Sequence, residues 1–553
     1  MNFSAHGLPI GLTAQIANLA ALFSAAAPLR IPAYQRPYTW TSGEVAALLV
    51  DLLSAFERRA AYYFIGHIVL VKTERGELEV ADGQQRLATF TMLLAWVRDR
   101  LSARSGPLQD LIVFDDAARP RLRLRKADER FFLEYVQVPG GLTRLLSGGE
   151  NWSDSQSLIA QAVETIEDNL SGLDDETLDA FIRFVVRSAT FDVMIADERG
   201  GAATIFATMN NRGRSLSGPD ILKQELLERS GLDDAGVDEA ALLWEGLEDR
   251  LGRNAFSQLV SEIIPVIYTG ELLRGPGDLT ALRIAIQSRA APRQFLTDDL
   301  PRYGAALLEL RAASVKAGVH SREVNRRVKR LMTLSDTLWL PAAVAYLADH
   351  RGSSARTLRF FKGLEALALA SFLNAVRADR KERRFARILK ALGDDAKLFG
   401  PSNLALSPTE HDELLGRINK QPSRETGQRR VVVLWVNAAL PDGEVLALED
   451  DATVEHVLPA NPSPDWVKRF PVKEVRRELC NLLGNFVLLS ALKNDRAGNK
   501  SFDEKKREYF AADGDPIYAL TRDIARVEDW TADVIRARHE RLVQALAEDL
   551  GLI

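Results

Sequence analysis

The sequence predicts an α+β multidomain protein that is mostly helical. Three observations predict it. Strand-like apolar runs are mixed with helices up to about residue 230, helical periodicity dominates from about 235 to 425, and a strand, loop, strand, helix pattern returns from about 426. A chain of 553 residues is long enough for about three or four domains. The texture changes place boundaries at 1–235, 236–425 and 426–553.

The elements follow in order. "IANLAALFSAAAPLR" resembles a secretory core, but no Lys or Arg precedes it, so it reads as an amphipathic or buried helix. Thr41 and Glu44 have capping-box spacing at the head of "SGEVAALLVDLLSAFERR". "YYFIGHIVLV" reads as a buried strand, "TERGE" as a turn and "LEVAD" as the partner strand. A helix over "LATFTMLLAWVRDRL" follows, then strands over "RLRLR" and "ATFDVMIAD". The middle is helical, as in "RYGAALLELRAASVKAG" and "TLRFFKGLEALALASFLNAV". It carries two basic clusters, "REVNRRVKRLM" and "RADRKERRFARILK", which fit either solvated helix faces or faces that contact phosphates. "NKQPSRETGQRR" reads as a linker.

Composition narrows the function. With 46% hydrophobic and 27% charged residues the chain is that of an ordinary globular protein. Its 71 basic and 76 acidic residues give a net charge of -5, so any nucleic-acid site must be a local basic patch. Cys480 is the only cysteine, which excludes a disulfide framework and Cys-rich metal modules and points to a reducing cytoplasm. The longest apolar runs, such as "VVVLWVNAAL", are too short to span a bilayer, so no membrane partner is expected.

Near the end, "EHVLP" closes a β-branched strand with Glu455 and His456, whose side chains leave an extended backbone on opposite sides. A neutral imidazole can take a proton from water, and a carboxylate can hold a hard cation. Downstream, in "LGNFVLLSALKN", Asn485 opens a second strand and Asn494 opens the next helix. An amide can fix a loop through donor and acceptor together, and its carbonyl can ligate Mg²⁺. Glu455, His456, Asn485 and Asn494 therefore make a one-metal hydrolytic set. The two asparagines also suit turns and caps, which is the structural alternative.

This set, continued by "NKSFDEKKREYF", resembles the HNH or ββα-metal nuclease motif in its GmrD-type version over about residues 430–515. The resemblance implies that His456 is the general base and that Glu455 and Asn494 hold the metal, with Asn499 as a rival ligand. Asn485 would brace the catalytic loop. Asn at position 494, where the motif also has His, favours Mg²⁺ or Mn²⁺ over zinc.

"ADGQQRL" is a second constellation. Gly83 permits a tight turn that exposes helix-start amides to an anion, and Arg86 offers a donor fork for phosphate. Asp82 beside them makes sense if Mg²⁺ or an activated water lies between, and the resemblance given below implies that Gln84 and Gln85 belong to the same catalytic run. The same run also fits a turn followed by a helix cap. "IPAYQRPYTW" adds Gln35, Arg36, Tyr38 and Trp40, an anion-binding arm with aromatic surfaces that could stack on a base or anchor the core. "FATMNNRGRSLSGPDILKQELL" adds Asn210, Gly213, Leu216, Asp220 and Lys223, part of it a good helix start. No P-loop is present.

Together these three segments resemble the GmrS-type domain, a relative of the ParB/sulfiredoxin fold that hydrolyses nucleoside triphosphates. With the GmrD-like end, the chain is similar to single-chain GmrSD type IV restriction enzymes. That resemblance implies a bacterial anti-phage protein that binds and hydrolyses GTP or another NTP, takes Mg²⁺ or Mn²⁺, and cleaves or nicks modified phage DNA. A homodimer is left open. The rivals are an NTP-dependent DNA sensor with a degenerate nuclease and a nuclease acting on unmodified nucleic acid.

Overall fold

The computed structural model describes residues 12–553 apart from 74–75, 102–103, 115–118, 150–151, 197–217, 272–279, 290–291, 374–376, 421–426, 449 and 513. The chain divides into two compact units, Met1–Phe256 with Ile286–Pro301, and Ser257–Ala285 with Arg302–Ile553. The helical segment 236–425 is shared between them.

In the first unit a mixed sheet runs in the order β1, β8, β3, β4, β2, β7. These strands are β1 (Leu12–Asn18), β2 (Leu29–Arg30), β3 (Tyr63–Lys72), β4 (Leu78–Asp82), β7 (Leu122–Arg123) and β8 (Ala189–Ala196), while β5 (Val113–Phe114) and β6 (Arg119–Pro120) form a separate ribbon. The pairs β1/β8 and β3/β4 are antiparallel; β3/β8, β2/β4 and β2/β7 are parallel. Helices α1 (Ser42–Glu57), α2 (Gln84–Arg100), α3 (Lys126–Phe132), α4 (Asp154–Leu170) and α5 (Asp175–Ser188) follow, then α6 (Gly218–Arg229) and α7 (Asp234–Leu251). The capping box at Thr41 forms, with Glu44 Oε2 accepting from the Thr41 amide at 2.8 Å.

The α2 sequence is apolar on every side, and a helix of that kind must be buried all round. Leu87, Phe90, Leu93, Leu94 and Val97 indeed share one core with Leu49 of α1, Val163 of α4, Phe181 of α5, and Ile68 and Val193 of the sheet. At its end, buried Arg98 donates to the carbonyls of Gln137 (2.9 Å) and Val136 (3.2 Å), which removes the cost of burying its guanidinium.

Two expectations are corrected. The "IAN" of the supposed first helix belongs to strand β1, and the helix covers only Leu19–Phe23. Pairing with β8 from Leu12↔Ala196 to Asn18↔Thr190 overrides helical periodicity, and Ile16 is left 78% exposed on this edge strand. Asn18 ends the strand by accepting from the Ala21 amide at 2.8 Å. "RLRLR" contributes only the two-residue β7.

The second unit contains α8 (Ser321–Leu331), α9 (Ser354–Leu373), α10 (Ala378–Ala391), α11 (Pro408–Asn419) and α12 (Gln428–Ala439). An antiparallel pair, β9 (Thr453–His456) and β10 (Phe486–Leu489), precedes α13 (Ala491–Ala497), α14 (Phe502–Tyr509) and α15 (Ala532–Leu550). The basic cluster on α8 is neither a solvated face nor a phosphate track at its centre. Arg327 and Arg330 are 1% and 0% exposed, and both pair with buried Glu365 of α9, Arg330 Nε at 2.8 Å. Asp549 of α15 closes the network through Arg330 Nη1 at 2.5 Å and through Arg326.

Removing Glu365 takes the shared buried carboxylate from two guanidiniums and leaves Arg330 with Asp549 and Arg327 with Glu323. Glu365→Ala is therefore expected to lose about 3–5 kcal/mol, read as a lower urea midpoint. Burial raises the Asp549 carboxyl, but Arg330 and Arg326 outweigh that and hold it below the ordinary 3.8. A depressed acid stabilises above its unfolded value and loses that contribution as pH falls through its folded value. Asp549→Asn should consequently flatten the stability loss below pH 3.8 in denaturation curves taken across acid pH.

Candidate active site

Strand β9 delivers His456 at its last position, directly opposite Phe486 of β10. The His456 ring meets the Phe486 ring edge-on, 4.9 Å between centroids and 87° between planes. The Arg429 guanidinium lies 5.2 Å from the centre of Phe486. Imidazole and a cation thus share one aromatic side chain at the hairpin end, a half-buried and electropositive setting.

The loop after His456 is pinned by Asn485, which is fully buried. Its Oδ1 accepts from the Leu458 amide (2.7 Å) and Trp530 Nε1 (3.1 Å), and its Nδ2 donates to the carbonyls of Leu458 (2.9 Å) and Cys480 (3.0 Å). All the polar capacity of the amide is used. Gly484 beside it is compelled, since a Cβ there would lie 2.0 Å from the Ile535 carbonyl oxygen. Arg538 of α15 fixes the same turn by donating to the carbonyls of Gly484 (2.6 Å) and Phe486 (2.8 Å).

Glu455 points the other way, as strand alternation requires. Its Oε1 accepts from Lys505 Nζ of α14 at 2.5 Å and from the Tyr509 hydroxyl at 3.4 Å, and Lys505 also donates to the His456 carbonyl at 2.8 Å. Burial pushes Glu455 up and Lys505 down, each partly offset by the other, and burial followed by the Glu455 charge pushes Tyr509 well up. The positive charge beside Glu455 is therefore the Lys505 ammonium, so the residue sits in an internal ion pair where an open metal ligand was expected. Asn494 lies within α13, which Ser490 caps in its place by accepting from the Lys493 amide. The Asn494 Nδ2 donates to Thr453 Oγ1 of β9 at 2.8 Å, which turns its carbonyl oxygen away from that strand. Asn499 is exposed beyond the helix end.

In the first unit Gly83 begins α2 in the left-handed region, φ 98°, where a Cβ would meet Ile68 Cδ1 at 2.3 Å. The run around it is internally tied. Gln85 Oε1 accepts from the Thr39 amide (2.9 Å) and the Trp40 amide (3.3 Å), and Gln85 Nε2 donates to the Pro37 carbonyl (2.9 Å). Gln35 Nε2 donates to the Ala81 carbonyl at 2.8 Å, and Arg86 Nη1 to the His67 carbonyl at 2.5 Å. Gln35, Gln85 and Arg86 therefore hold "QRPYTW" and β3 against the DGQQR corner. Tyr38 is buried with its hydroxyl 2.8 Å from Thr89 Oγ1, which withdraws it from base stacking, and Trp40 packs half-buried on the core.

Arg36, Gln84, Arg125 and Asp128 line a narrow crevice beside this corner. Lys223 reaches the region from α6 but is 4% exposed and pairs with Glu245 of α7 at 2.7 Å. Glu245 also takes Arg125 at 2.7 Å, and Arg125 Nε holds Asp128 Oδ2 at 2.7 Å. Asp220 opens α6, and burial and then Asp220 push Glu248 of α7 up. Asn210, Gly213 and Leu216 lie outside the described residues.

Sequence reasoning missed Arg125, Asp128 and Glu245, and also the His67–Asp192 contact (Nδ1 to Oδ2, 3.1 Å) beside the corner. Only "RLRLRKAD" is locally suggestive, because the partners come from strands and helices far along the chain.

The chain thus has a sheet-bearing unit with a cross-braced DGQQR corner and a second unit with His456 at the end of a two-stranded ribbon. Residues 19–227 match the family described as GmrSD restriction endonuclease, N-terminal domain, and residues 409–545 match GmrSD restriction endonucleases, C-terminal domain. The two matches cover more than half of the sequence, and the chain belongs to the GmrSD restriction endonuclease family. No curated protein matches it. Among the described residues no helix is long and apolar enough to cross a membrane.

The Glu455–Lys505 pair gives a direct test. Either single change, Glu455→Gln or Lys505→Met, should destabilise by about 3–5 kcal/mol, because one buried charge is left alone. The double variant should recover part of that loss in a thermal-unfolding cycle.

Proposed function

We propose that this chain is an HNH-type endonuclease of bacterial anti-phage defence that cuts modified DNA under the control of a nucleoside triphosphate. One observation carries the reading. His456 stands at the tip of a hairpin whose following loop is pinned by Asn485, with Asn494 on the next helix, all within the family's C-terminal match.

In this reading the His456 imidazole takes the proton of the attacking water. Asn485 holds the loop in place, and the Lys505 contact with the His456 carbonyl fixes the backbone that carries the base. An Mg²⁺ or Mn²⁺ ion, when bound, supplies charge neutralisation at the phosphate, and of the two expected ligands Asn494 presents an oxygen for it. Arg429, above Phe486, is suited to a phosphate oxygen.

The N-terminal unit supplies nucleotide control. Helix α2 begins at the left-handed Gly83 without a side-chain cap, and Arg36 and Arg125 line the adjacent crevice. GTP or another NTP is the ligand class we assign to this end on the three motifs of the N-terminal match, and Arg125 there already pairs with Glu245 and Asp128.

Plasmid cleavage tests the whole reading. Wild type should cut modified DNA with Mg²⁺ or Mn²⁺ and stop when the ion is chelated, with a response to added GTP or another NTP. His456→Ala should lower the rate by about 10²-fold or more. Equal cutting by that variant would remove the HNH assignment, and efficient cutting of unmodified DNA would remove the modification dependence.

A further inference from the structure

The two basic clusters of the second unit have opposite fates. That on α8 is consumed in an internal network. The one on α10 opens onto a groove of about 500 Å³ between α10, α9 and the start of α11. Phe385, Ile388 and Ala391 bury the inner stripe of α10. Arg380, Arg383 and Arg387, spaced i, i+3 and i+7, form a stripe about 10 Å long on another face, and all three are exposed.

Charge decides what such a groove can take. Its lining holds five cations, Arg380, Lys381, Arg383, Arg384 and Arg387, against two carboxylates, Glu410 and Glu413. Glu410 is already engaged, since it closes the capping box with Ser407 and pairs with Arg384. Arg384 also donates to the Ala405 carbonyl at 2.6 Å and the Asn403 carbonyl at 2.8 Å, so it serves as the groove's fixed wall. Among the described residues Arg383 pairs with Asp379 of its own helix, at 2.6 Å with both side chains well exposed, a contact that water and salt readily exchange. In a chain of net charge -5, this is a local surplus of positive charge with guanidiniums on successive turns.

We infer that the α10 groove is a DNA-binding surface that tracks the phosphate backbone, read without regard to base or modification. It rests on the proposed action on DNA and adds where the duplex is held. A stripe of arginines on successive turns positions the duplex through its phosphates, which carry no sequence information. Each phosphate neutralised adds about 0.9 to the slope of log K against log salt.

The test is fluorescence anisotropy of the full chain with labelled duplexes, modified and unmodified, from about 50 to 200 mM salt. The variants are Arg380→Gln/Arg383→Gln/Arg387→Gln together and Arg383→Glu alone, the second guarding against misfolding because that side chain is 66% exposed. The triple variant should lose affinity for both duplexes by the same factor and reduce the salt slope by roughly 2–3, with unchanged thermal unfolding. Arg383→Glu should lower affinity for both duplexes by one common factor. Unaltered affinity and slope in the variants, with wild type binding normally, would overturn the groove as a binding surface. Selective loss for one duplex would overturn its indifference to modification. Failure of wild type to bind either duplex would instead remove the DNA reading on which it rests.

Discussion

A two-stranded ribbon of four residues per strand cannot hold its own shape in water, and the candidate nuclease site stands on one. Everything around β9 and β10 answers that constraint. Asn485 ties the turn to Leu458 and Trp530, Arg538 clamps the carbonyls on either side of it, and Lys505 joins β9 to α14. Each of these polar groups is buried, so each would be costly if left unpaired. Their mutual satisfaction is what gives His456 a fixed address.

The same economy governs the first unit. Residues with donor-rich or amide side chains, which look like a ligand set when read locally, are spent in large part on architecture. Gln85 closes the loop from Pro37 to Trp40, Gln35 reaches β4, and Arg86 caps a carbonyl of β3. A corner built this way has cross-braced walls, and the crevice beside it shares them. The charges of Lys223, Glu245, Arg125 and Asp128 run as one chain from α6 to α3 through α7, linking the third motif to the crevice wall.

The elements that could be read from sequence are those specified by local pattern. Helix α2 follows from an unbroken apolar run, α1 from its capping box, and β3, β4 and β8 from β-branched runs bounded by turns. Short ordered motifs are what single out His456 and Asn485 as candidates. What could not be read depends on partners remote in the chain. Arg330 meets Glu365 35 residues away, and Arg327 meets the Asp549 carbonyl 222 residues away, so a buried network looked like surface charge. The contact between Glu455 and Lys505 is equally remote, 50 residues apart, and could not be read locally.

Arg538 donates to the carbonyl of Phe486 from 52 residues further along the chain. Synthesis runs in that direction, so β9 and β10 leave the ribosome well before the clamp that secures them. During that interval the nascent hairpin lacks its final fastener while the sheet-bearing N-terminal unit can already have folded. The order of translation itself thus leaves the histidine-bearing tip to mature after the N-terminal unit has been made.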